Sequence, residues 1–267
     1  MILKMSFVRL VEHMGSDASI VQAARVSYGA GTKTPSDDRS LVRYLLRHWH
    51  TTPFEMVEFK FHIRCPIFVA RQWLRHRTAS VNELSARYSV IQDDFYVPSP
   101  YSGQSSNNKQ GSDPLHELDG TCTLDSIAHC AESFNFYNRL LEKGAAREQA
   151  RIHLPLGTYT EFYWKIDLHN LFGFLQRRMD DHAQHEIRIL ALKLFEIIKP
   201  IVPFACEAFT DYRLDAVTLT GPEIRALRFG EEIKNKREVH EYLQKLKLMG
   251  LYELVENARA QKAEVAR

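Results

Sequence analysis

The chain has 267 residues, of which 45% are hydrophobic, enough for one large domain, or one domain with an appendage, built around a full core. Lysine and arginine number 35 against 33 acidic residues, leaving a net charge of +2. That near-neutrality excludes a general nucleic-acid coat and makes any anion site local. Cys65, Cys122, Cys130 and Cys206 form no CxxC pair and fit no zinc framework, so reduced thiols are expected. Residues 1–14 lack the apolar core of a secretory signal, and no apolar run is long enough to span a bilayer. The expectation is a cytoplasmic protein with neither membrane nor nucleic acid as a partner.

In chain order, residues 17–28 read as a short helix, followed by a Gly-, Lys- and Thr-rich loop. Pro35-Ser36-Asp37-Asp38 signals a helix start, and Leu41, Tyr44, Leu45 and His48 recur at helical spacing. Residues 57–64 alternate apolar with polar, the period of a half-buried strand. Pro66 suits a first helical turn, and Ile67 to Leu74 continue it, with Arg71 and Arg75 one turn apart. The segment that follows, residues 75–87, is expected to leave the helix as a loop. Residues 98–114, rich in Ser, Asn, Gly and Pro, suggest a mobile insertion or lid. Leu124 to Leu141 mark a helix that Gly144 closes, and a second helix runs through Arg147 and Arg151 toward Pro155. Residues 159–166 alternate again as a strand. Helices are predicted over 168–178 and 183–198, the second stopped by Pro200. The mixed-charge tail from about 222 to 267 reads as peripheral helices. The predicted fold is α+β, a small mixed or antiparallel sheet with many helices, with one main domain over 1–221 and a helical extension over 222–267.

The chemistry concentrates in Arg75-His76-Arg77-Thr78-Ala79-Ser80-Val81-Asn82-Glu83-Leu84-Ser85-Ala86-Arg87. Guanidinium groups clamp phosphates in bidentate fashion and stay charged at any working pH. Glu83 among them can neutralise an arginine or accept from a ribose or base. Arg-His-Arg, seven residues, then Ser85 resembles the signature of the flavin-dependent thymidylate synthase family. Further segments resemble the family in the same order: 24–27, 50–55, 70–73, Arg151-x-x-Leu154-Pro155, and Arg178-x-x-x-His182-Ala183-Gln184-x-Glu186.

The resemblance implies methylation of dUMP to dTMP. Carbon would come from methylenetetrahydrofolate, and hydride from NADPH by way of FAD. It also implies a homotetramer whose active sites form where subunits meet. It places Gln72, Arg75, Glu83, Ser85, Ala86, Arg87, Arg151 and Arg178 on dUMP. It places Arg75, His76, Arg77, Glu83, His50, Asp167 and His169 on FAD, with Ser27, Thr52 and Glu55 near the flavin from another subunit. Asp167 and Gly173 depart from residues common in the family, where Asn, or Asn or His, stand.

A catalytic role for Arg178 follows from the reaction, because a fixed cation stabilises charge developing on the pyrimidine more than the neutral ground state. A surface salt bridge of Arg178 with Asp180, Asp181 or Glu186 is the competing interpretation. Ser85 as a nucleophile lacks an adjacent base in the sequence. Without a GxGxxG turn, a flavin must be gripped by side chains and subunit surfaces. Two rival functions remain open on the residues alone. One is a metal hydrolase using His48-Trp49-His50 and His182-x-x-His185-Glu186; no metal is expected. The other is an RNA-binding module of the arginines with Tyr88, Phe95 and Tyr96.

Overall fold

The computed structural model describes residues 5–26, 35–106, 109, 111–253 and 255. The chain forms two units, Met1–Phe209 and Thr210–Arg267.

The first unit is built on an antiparallel sheet of four strands in the order β1-β2-β6-β3. Its central pair is β2 (Glu58–Pro66) and β6 (Tyr159–Asp167), in register from Glu58 opposite Asp167 to Pro66 opposite Tyr159. Alternation buries Phe59, Phe61, Ile63 and Cys65 on β2 and Phe162, Trp164 and Ile166 on β6, all on one face. On the opposite face His62 stacks on Tyr163 and its Nε2 donates to the Glu161 carboxylate at 2.9 Å, and Arg64 reaches Asp94 at 2.6 Å.

Both edges of this sheet differ from the sequence expectation. β1 (Phe7–Met14) pairs with β2, although residues 1–14 carry no strand pattern. β3 (Ser80–Glu83) pairs with β6, from Ser80 opposite Lys165 to Glu83 opposite Phe162, where a loop was expected. The β6 backbone supplies the pairing that the exposed side chains of β3 do not advertise. Residues 98–114 also contain structure: β4 (Ser102–Gln104) and β5 (Ser112–Glu117) form a separate two-stranded sheet.

Helices α1 (Asp17–Arg25), α2 (Pro35–Arg47), α3 (Ile67–Trp73), α4 (Thr121–Glu142), α5 (Arg147–Ala150), α6 (Leu168–Arg178), α7 (His185–Ile198) and α8 (Pro203–Phe209) complete the unit. The α8 helix was not anticipated. Its first amides, Phe204 and Ala205, donate to the Asp17 carboxylate at 2.7 and 3.0 Å, a cap supplied from a distant part of the chain. The helix expected over 17–28 ends as α1 at Arg25, and the Gly-rich loop after it lies outside the described residues.

An aromatic cluster fixes α3 against α6 and the sheet. Trp73 lies 5.3 Å from Trp164 and 4.7 Å from Phe174, ring centre to ring centre. These rings are fully buried, so the end of α3, where the cationic segment starts, is anchored in the core.

The second unit carries α9 (Gly221–Phe229) and α10 (Lys236–Leu248) around Ala226, Tyr242 and Leu246. Lys245 and the buried Glu223 form an ion pair at 2.9 Å. No helix among the described residues is long and apolar enough to cross a membrane.

Candidate active site

Arg178 ends α6, and its Nε donates to His76 Nε2 at 3.1 Å while Nη2 donates to the Gln72 carbonyl at 3.4 Å. His76 follows α3 and packs its ring edge-on against Phe174 at 4.8 Å. The Gln72 amide in turn donates to the Gln184 side chain. Four residues from two sequence regions thus meet at the joined ends of α3 and α6.

None of the three nearby carboxylates pairs with Arg178. Asp180 binds the His182 amide at 2.8 Å and its ring at 2.9 Å, forming the turn after α6. Asp181 pairs with Arg188, and Glu186 accepts from the Tyr96 hydroxyl at 3.0 Å. Arg75 and Arg77 are exposed and also lack a carboxylate partner among the described residues. The result is a concentration of positive charge without counter-charge. Burial, then Arg178, then Arg177 lower the His76 pKa to about 4, so the imidazole is neutral and accepts from Arg178. Burial, Arg177 and Arg75 lower the Arg178 pKa from its ordinary value, though the guanidinium stays charged.

A second cluster forms around Glu148. Arg87 Nε donates to its carboxylate at 3.1 Å, and Arg151 Nε to its backbone carbonyl at 3.4 Å. Arg87, Tyr88, Arg147 and Glu148 line a cleft of about 530 Å³. The Ser85 hydroxyl accepts from the Arg87 amide at 3.3 Å, and Ala86 is half-buried between them. Glu83, at the end of β3, accepts from Thr160 Oγ1 at 2.6 Å. No hydrogen bond or ion pair among the described residues joins the Arg178 cluster to the Glu148 cluster.

The remaining expected residues sit elsewhere. His50, Thr52 and Glu55 are exposed on the loop between α2 and β2, and Ser27 lies outside the described residues. Asp167 caps α6: its two oxygens accept from the Asn170 amide at 2.9 Å and the Asn170 side chain at 2.7 Å. His169 is half-buried in the first turn of α6. A Cβ added at Gly173 would meet nothing within 4 Å, so close helix packing does not explain that glycine. Among the described residues no three His, Cys, Asp or Glu side chains converge on a metal position.

Residues 9–204 match the family model described as thymidylate synthase complementing protein. The chain belongs to this family, that of the flavin-dependent thymidylate synthases. A flavin-dependent thymidylate synthase of Dictyostelium discoideum is 56% identical over 239 residues, 88% of this chain and 79% of the relative. One of Thermus thermophilus is 54% identical over 228 residues, 85% of this chain and 84% of the relative. A solved UMP/dUMP methylase, PolB from Streptomyces cacaoi bound with 5-Br dUMP, is 33% identical with a TM-score of 0.71. That match covers 78% of this chain and 96% of the methylase chain.

In this thymidylate synthase family member three side chains gain a place that sequence reasoning gave them no role in. Gln184 meets Gln72, Arg177 depresses both His76 and Arg178, and Arg147 lines the cleft beside Arg87. The available signals were the Gln184 position inside a family segment and the four-residue spacing of Arg147 and Arg151, which puts both on one helical face.

Proposed function

We propose that the chain is a methyltransferase that converts dUMP to dTMP, with methylenetetrahydrofolate as carbon donor, NADPH as reductant and FAD as the bound flavin. The observation that carries this reading is Arg178, a half-buried guanidinium ringed by cations and a neutral imidazole while every nearby carboxylate is engaged elsewhere. Such a site is relieved by an anion or by charge that develops during a reaction.

The donor set suits a flavin nucleotide. Arg75 and Arg77 offer uncompensated cations for its phosphates, and His76 is neutral and can lie against a ring. Bound FAD would supply the hydride that the protein's own side chains cannot. The chain's residues do the rest. Arg87 and Arg151 take the dUMP phosphate, with Arg87 exchanging Glu148 for the dianion. Gln72, held by Gln184, and Glu83 orient the base and ribose. As the uracil C6 gains hydride, negative charge grows on C5 and the C4 carbonyl oxygen, and Arg178 stabilises it. His76, accepting from Arg178 Nε, and the Gln72 carbonyl, accepting from Nη2, together fix the guanidinium. Ser85, without a base beside it, positions the Arg87 segment and makes no covalent bond.

The homotetramer has its sites completed across subunits, with Ser27, His50, Thr52 and Glu55 facing the flavin of a neighbour. Asp167 and His169 lie on its adenine side. The catalytic region runs through 1–221, the extension through 222–267, and the enzyme works in the cytoplasm. The test is product analysis of the purified, flavin-loaded protein with dUMP, methylenetetrahydrofolate and NADPH, each withheld in turn. dTMP formed only from the complete mixture supports the reading; unchanged dUMP in that mixture refutes it.

A further inference from the structure

Strand β3 ends on a carboxylate whose direction is set by a buried hydroxyl. Glu83 stands opposite Phe162 on β6, so its side chain falls on the face of the sheet that carries Phe162 and Trp164 rather than on the polar face. The Leu84 amide donates to the Glu161 carbonyl at 2.8 Å, so the backbone beyond Glu83 is also pinned to β6. The residue itself stays exposed at the sheet edge. Burial, then the Glu83 charge, push the Cys65 thiol pKa up, which agrees with a carboxylate turned toward the buried face.

In sequence Glu83 lies among Arg75, Arg77 and Arg87, yet it forms an ion pair with none of them. Arg87 takes Glu148 instead. Glu83 Oε1 accepts from Thr160 Oγ1 at 2.6 Å, and Oε2 has no hydrogen-bond partner among the described residues. A neutral hydroxyl sets the direction of a carboxylate without cancelling its charge.

Packing does not call for that hydroxyl. The buried face of β6 reads Thr160, Phe162, Trp164 and Ile166, and Thr160, 6% exposed, stands opposite the buried Cys65 of β2. Valine has nearly the same shape and avoids the cost of burying a polar group. The threonine makes one bond with its hydroxyl, and that bond fixes one oxygen of a side chain whose other oxygen is open.

We propose that Thr160 is a positioning residue of the nucleotide site, holding Glu83 Oε1 so that Oε2 meets a ribose hydroxyl or the uracil N–H of dUMP. The proposal rests on the reaction proposed above and on the contact it gives Glu83 with the nucleotide.

The test is a thermodynamic cycle on the full-length, flavin-loaded protein, with dUMP affinity read by titration calorimetry and turnover by dTMP formation. Thr160→Val should raise the Kd for dUMP about tenfold, with kcat within about threefold of wild type, because the contact is made equally in the ground state. Thr160→Ser, which keeps the hydroxyl, should stay within about threefold in Kd. Glu83→Gln should also weaken binding, and Thr160→Val/Glu83→Gln should bind within about twofold of Glu83→Gln alone, since the hydroxyl acts through the carboxylate. Should the valine variant fail to fold, Thr160→Ala takes its place in the cycle with the same expected values.

A Kd for Thr160→Val within about twofold of wild type, with Glu83→Gln weakened, would overturn the proposal while leaving Glu83 in the site. So would losses that multiply in the double variant, which is the result for a hydroxyl that only fastens β3. An unchanged Kd in Glu83→Gln would remove Glu83 from the nucleotide and Thr160 with it. A wild type that binds no dUMP would overturn the proposed reaction itself, and this role falls with it.

Discussion

Replacing Arg178 with Gln removes one charge from the site while leaving a planar amide near the same atoms. The cost to the fold is small. The variant forfeits hydrogen bonds to His76 at 3.1 Å and Gln72 at 3.4 Å, worth about 1 kcal/mol each at most. It also relieves repulsion from Arg177 and Arg75, which already lowers the Arg178 pKa. These oppose each other, so global stability should stay within about 1 kcal/mol of wild type. Turnover should fall much further. A donor aimed at charge that appears only in the transition state is worth about 3–4 kcal/mol, or roughly 10²–10³ in kcat. Proton NMR of His76 supplies an independent reading, because Arg178 is the second cause of its depressed pKa after burial; the titration should move up in the variant. The assays are dTMP formation, urea melting and that titration. A kcat within about threefold of wild type would refute the role given to Arg178, and an unmoved His76 titration would refute the geometry behind it.

Other substitutions probe the frame around the site. Gly157→Ala should destabilise the first unit by about 2 kcal/mol or more, since the new Cβ would sit 2.5 Å from the Tyr96 carbonyl oxygen; an unchanged urea midpoint would contradict this. Gly173→Ala should stabilise α6 by about 1 kcal/mol, because the Cβ enters open space and alanine favours the helix, and thermal melting checks it. Acid should weaken the fold through His76. Its folded pKa of about 4 lies below the unfolded value of 6.5, so the unfolded chain takes up the proton first. Stability is then full above about pH 6.5 and falls toward pH 4, by about 1 kcal/mol after solvent screening of a half-buried ring. A His76→Gln variant should lose that part of the pH dependence, and an identical pH-stability curve would contradict the assignment.

The legible parts of the fold were those in which burial writes a period into the sequence. β2 and β6 bury alternate residues on one face, and their apolar-polar alternation announced them. β1 and β3 are the sheet edges. Neither contains a buried residue, so neither carries a pattern, and their pairing comes from the neighbouring backbone. α8 escaped notice because its cap, Asp17, lies far away in sequence. The site divides the same way. The arginine-rich segment is local and could be read directly. The electrostatic state of Arg178 is nonlocal, because it depends on Asp180, Asp181 and Glu186 each finding another partner, and spacing alone favoured a surface ion pair.

The most direct measurement is a crystal structure of the protein with FAD and dUMP bound. Arg87 and Arg151 should lie within hydrogen-bond distance of the nucleotide phosphate, and Arg178 at the O4–N3 edge of the pyrimidine. Electron density showing the nucleotide held without these three guanidinium groups, each turned to solvent, would contradict it.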